Sequence, residues 1–173
     1  MPQIFSTSRA EAAVFRFPPL FFPAVILLAL VLQAYLPVVV HAAVFLDLPL
    51  LIVIYWALTK RKAESSALLG AVLGVVQDSL SHLALGVNGI AKTLIGYLDT
   101  RLGGRLDADH GGIRLAVVGA GYILNRVILY ALERFLLGTP VPWRSGITLV
   151  AAVVNGLVAV ALFRGLDRFR HWV

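Results

Sequence analysis

PPLFFPAVILLALVLQAYLPVVV, residues 18–40, is the stretch that decides the fold. It carries no charged side chain, and roughly 20 apolar residues are enough for a helix to cross the hydrocarbon core of a bilayer. Arg9 and Arg16 stand before it and His41-Ala42-Ala43 after it, an outline shared with secretion signals. Its apolar region, however, far exceeds the roughly 7 to 15 residues of a signal's core, so it is read as a retained transmembrane helix. The remainder of the chain has the same character. Hydrophobic residues make up 60% and charged residues 14%, where soluble domains carry about a quarter charged. Mean hydropathy is +0.88. The expected fold is therefore an all-α membrane protein, with residues 1–173 forming one integral membrane domain.

Working outward, five further apolar segments follow. The expected spans are approximately 18–40, 44–60, 65–80, 86–100, 114–137 and 145–164. In the second, Asp47 followed by Pro49 suits a helix N-terminus, where a missing amide costs nothing and a carboxylate meets the positive end of the dipole. In the third, Gly70 and Gly74 have the small-xxx-small spacing that lets another helix backbone approach closely. The polar, glycine-rich TRLGGRLDADHGGIR between the fourth and fifth segments belongs outside the hydrocarbon.

A formal charge of +6 and a pI near 10.2 would suit a nucleic-acid binder, but the basic residues cluster between apolar runs, where they act as topology signals. No nucleic-acid partner is expected. The chain has no cysteine, and its four histidines are scattered, so neither a metal site nor a cofactor is expected. HExxH, GxSxG and a phosphate-binding glycine loop are all missing from the sequence. No catalytic residues are assigned, and the reading is non-enzymatic.

Polar side chains inside spans cost about 2.5 to 3.5 kcal/mol each when charged, so they face protein rather than lipid. Gln77 and Asp78 close the third segment. Asn88, Lys92, Gly96 and Asp99 run down one face of the fourth, and Gly119, Tyr122, Arg126, Tyr130 and Glu133 down one face of the fifth. These stripes are expected to face one another or a partner helix, with Asp78 neutralising Lys92 or Arg126. The candidates for a partner groove or pocket are Gln77, Asp78, Gly86, Asn88, Gly89, Lys92, Tyr122, Arg126, Tyr130 and Glu133. Asn155 is read as a helix-helix hydrogen bond.

The stretch GAVLGVVQDSLSHLALGVNGIAKTLIGYL, residues 70–98, resembles the signature region of the MreD family of rod shape-determining membrane proteins. There a glycine-rich helix ends in a Gln-Asp pair and a short loop leads to Leu-Gly-x-Asn, here Gln77, Asp78, Leu85, Gly86 and Asn88. DLPLLIVIYWALTKRK, residues 47–62, is similar to the family's acidic-then-apolar segment with a basic end. By motif the resemblance covers about residues 47–100. It implies a six-helix fold similar to the substrate-binding subunit of energy-coupling-factor transporters. It also implies a scaffold of the elongation machinery that directs peptidoglycan synthesis in the bacterial cytoplasmic membrane. The implied partner is MreC, and indirectly RodA, a class B penicillin-binding protein and MreB; membrane lipid is a further partner, and a homodimer is left open. The alternative reading is a binding subunit for a small, vitamin-type solute.

Orientation follows from the basic residues flanking each span. With six spans and both termini cytoplasmic, the inner side holds Arg9, Arg16, Lys60, Arg61, Lys62, Arg101, Arg105, Arg114, Arg164, Arg168 and Arg170, and the outer side only Arg134 and Arg144. Because the chain has no cysteine of its own, Lys62→Cys and Trp143→Cys can each be probed in whole cells with an impermeant thiol reagent. Labelling at 143 but not 62 is expected; the reverse pattern would overturn the orientation.

Overall fold

The computed structural model describes residues 20–81, 84–103, 110–138 and 143–169. These form six α-helices and no strand: α1 Phe21–Val39, α2 Leu48–Lys60, α3 Ala63–Leu80, α4 Val87–Gly103, α5 Gly111–Ala131 and α6 Ser145–Asp167. A 3-10 turn, His41–Phe45, separates α1 from α2, and a π-helical turn, Leu132–Leu136, prolongs α5. Three of the helices are long and apolar enough to cross a membrane: α1, α5 with its π turn, and α6.

The second segment departs most from expectation. Its helix begins at Leu48 rather than at residue 44, because Asp47 acts as its N-cap, with Oδ1 accepting from Leu50 N at 3.1 Å and proline standing in the first turn. Thirteen residues make a helix only about 20 Å long. It is also the innermost one. Leu50, Leu51, Ile52, Val53, Ile54 and Tyr55 are consecutive and all buried, a run apolar on every side that only a helix surrounded by others can bury. α1, α3, α4, α5 and α6 all pack against it.

α3 and α4 solve a different problem. Neither ranks among the helices apolar enough to cross alone, and α4 carries Asn88, Lys92, Asp99 and Thr100, all buried. The two pair closely, glycine against backbone. A Cβ on Gly70 would collide with the Lys92 carbonyl, one on Gly74 with the backbone of Asn88, and one on Gly96 would come within 2.5 Å of Ser66 O. The turn into α4 passes through Gly86 at φ +96°, a left-handed conformation that side chains resist.

At its far end α6 runs past the expected limit at residue 164 to Asp167. There Arg114 Nη2 meets Asp167 Oδ2 at 2.7 Å, and the Tyr55 hydroxyl donates to Asp167 Oδ1 at 3.1 Å. This ties α2, α5 and α6 together at the end opposite the 3-10 turn.

The hairpin interface makes a direct prediction. Gly74→Val is expected to cost about 1 to 3 kcal/mol by overpacking, read as a lowered Tm in detergent. Gly112→Ala, where an added Cβ meets nothing within 4 Å, serves as the control and is expected to leave Tm unchanged or raised.

Candidate functional site

The break between α1 and α2 leaves backbone amides and carbonyls outside any helix, where the chain passes from the partly exposed 3-10 turn into the buried start of α2. Unsatisfied groups there would each cost several kcal/mol. Two side-chain carboxamides take them up. Gln33, from α1, donates through Nε2 to Leu46 O at 2.9 Å and accepts from Leu48 N at 2.9 Å. Asn155, from α6, accepts from Asp47 N at 3.0 Å and donates to Phe45 O at 2.7 Å and Ala151 O at 2.8 Å. An amide side chain has both a donor and an acceptor, so each residue can clamp two points of the same backbone.

Asp47, held in this way, turns its second oxygen inward. Lys92 Nζ donates to Asp47 Oδ2 at 2.9 Å and to Asn88 Oδ1 at 3.0 Å. Asn88 Nδ2 donates to Asp78 Oδ1 at 2.8 Å, and Asp78 Oδ2 accepts from the amides of Gly86 at 2.9 Å and Asn88 at 3.1 Å. Lys92, Asp78 and Asn155 are 0% exposed, so these groups have exchanged water entirely for one another. The sequence reading paired Lys92 or Arg126 with Asp78. The structure corrects it: the partner of Lys92 is Asp47, and Asp78 faces the turn that starts α4. The reason is geometric, since an N-cap engages one carboxylate oxygen and leaves the other open to a cation.

The candidate residues thus separate into two groups. Asp78, Asn88 and Lys92 lie inside the bundle, with Gly89 buried against Val75 and Gly70 and Gly74 in the α3–α4 contact. Gln77 is half-buried, and its Oε1 is enclosed with no hydrogen-bond partner among the described residues. Gly86 forms the turn. Tyr122, Arg126, Tyr130 and Glu133 instead line a cleft of about 280 Å³. The 3-10 turn and α6 form its other walls, through Val44, Phe45, Trp143, Arg144, Ile147 and Thr148.

Sequence reasoning missed several of the residues that matter here. Asp47 was read as a cap only, and Gln33 was passed over. A polar side chain in an otherwise apolar helix, next to a segment with a proline and an aspartate, is the signal that would have found them. Asn125, which the sequence suggests as a helix-packing residue, is 0% exposed, and neither its Oδ1 nor its Nδ2 has a partner among the described residues.

The family model described as rod shape-determining protein MreD matches residues 14–162, most of the chain. No curated protein and no solved structure matches it, so a likeness to the energy-coupling-factor subunit has only the number of helices behind it.

Cutting the polar chain at its charged link is expected to be severe. Lys92→Met leaves Asp47 buried without its cation and should cost about 3 to 5 kcal/mol. Combining it with Asp47→Asn, which keeps an acceptor for Leu50 N, should restore much of the loss. Thermal unfolding of the two single variants and the double variant in one detergent measures this; strictly additive losses would mean that the pair is not coupled.

Proposed function

The chain belongs to the MreD family, whose members act in rod shape determination, and from that premise we propose that it is a non-enzymatic membrane scaffold of the elongation machinery that binds MreC. Through MreC it would connect to RodA and a class B penicillin-binding protein, with MreB filaments beneath the membrane. In this reading all six helices cross the bacterial cytoplasmic membrane and both termini are cytoplasmic.

The observation that carries the reading is how the buried polar groups are engaged. Asp47, Asp78, Asn88, Lys92 and Asn155 bond to one another and to backbone, which holds α2, α3, α4 and α6 in one arrangement. A solute pocket would need some of these groups open to a ligand, and Asp78 and Lys92 are fully enclosed. What the α3–α4 hairpin turns outward is apolar: Leu68, Val72 and Val75 on α3 and Ile90 and Leu94 on α4 are all more than 40% exposed. A rigid bundle with a fixed apolar face suits packing against a partner's single transmembrane helix, where close van der Waals fit rather than hydrophobicity selects the mate.

The test is co-purification of this chain with full-length MreC from membranes. Val72→Trp is expected to reduce recovered MreC about tenfold, equivalent to about 1.4 kcal/mol, with Tm unchanged because the site faces outward. Unaltered MreC recovery across Leu68→Trp, Val72→Trp and Leu94→Trp would refute this face. A chain that instead purifies with a stoichiometric small solute and ignores MreC would refute the scaffold.

A further inference from the structure

We propose that the cleft between the 3-10 turn, α5 and the start of α6 binds the phosphate of an anionic membrane lipid. This goes beyond the scaffold reading and does not rest on it.

Two guanidinium groups converge there. Arg126 projects from α5, one helical turn from both Tyr122 and Tyr130, and Arg144 immediately precedes α6; both side chains are exposed and both line the cleft. Neither has an ion-pair partner among the described residues. This sets them apart from Lys92 and Arg114, which are paired inside the bundle. A guanidinium's fixed fork matches phosphate oxygens two at a time. α6 adds to the same field, since its N-terminus opens beside the cleft without a side-chain cap and first-turn amides with the positive end of the helix dipole favour an anion. Glu133 lies in the same wall, so the lining is two arginines against one glutamate, which favours a singly charged phosphodiester over a multiply charged anion.

The surroundings select a lipid over a free anion. The cleft holds a headgroup, about 280 Å³, but not acyl chains. Its own rim is apolar and open: Val44 is 62% exposed, Phe45 43% and Ile147 38%. Trp143, packed edge-on against Tyr130 with ring centroids 5.4 Å apart, marks the level at which indoles settle between headgroups and chains. A molecule with a phosphate in the cleft and its tails along Val44 and Phe45 satisfies both surfaces together.

Native mass spectrometry of the full chain in detergent, titrated separately with phosphatidylglycerol, phosphatidylcholine and inorganic phosphate, tests the site. One phosphatidylglycerol per chain is expected to survive activation, with phosphatidylcholine held far more weakly because its choline cation meets the arginines. Arg126→Gln and Arg144→Gln should each weaken retention roughly tenfold. Glu133→Gln should strengthen it, a gain that misfolding cannot imitate. Equal retention of the two lipids, or unchanged retention in the double arginine variant, would overturn the proposal. Displacement of the lipid by inorganic phosphate at equal concentration would overturn the lipid as the ligand and leave a free-anion site.

Discussion

The bundle depends on satisfying a short length of backbone where no helix can do so. Between Val39 and Leu48 the chain leaves α1, makes a 3-10 turn and enters α2. Where that backbone becomes buried, at the start of α2, each amide left unpaired would cost several kcal/mol. Gln33 from α1 and Asn155 from α6 both bond to that backbone, and Asp47 both caps α2 and anchors Lys92. The short central helix, the burial of a lysine and the placement of α6 against the 3-10 turn all follow from this one requirement.

A second constraint is complementary. α3 and α4 bear too many polar groups to lie in lipid as separate helices, yet they carry glycines where their backbones meet. The close approach brings Asn88 under Asp78 and sets Lys92 at the height of Asp47. Packing and electrostatics therefore reinforce one another: the glycines make the ion pair geometrically available, and the pair makes a charged helix tolerable inside the bundle. Removing one partner leaves the other as a buried charge, which is far more costly than the pair's own net contribution.

Much of this was legible in the sequence, for identifiable reasons. Apolar runs and their polar breaks gave the positions of six helices, although α2 is shorter than its apolar run because the 3-10 turn and the Asp47 cap take up the start of that run. Gly70 and Gly74 announced a close contact by spacing alone. The pairing of charges was not legible. Asp47 and Lys92 stand 45 residues apart, and periodicity within one helix says nothing about which neighbour shares its depth. The two polar stripes also had different fates for a reason outside the sequence. Asn88 and Lys92 turn inward to α2 and α3, whereas Arg126 and Glu133 face the space that the 3-10 turn leaves open.

The separation of Asp47 from Lys92 also has a meaning in time. Chains emerge from the ribosome at about 5 to 20 residues per second, so the carboxylate is delivered to the membrane several seconds before its cation. During that interval α1 and α2 exist without the lysine and without Asn155, which arrives later still, 108 residues after Asp47. Until α4 joins it, the first hairpin holds Asp47 without its cation. The polar chain is therefore completed in the order in which its residues arrive, Asp47 first, then Asp78, Asn88 and Lys92, and Asn155 last.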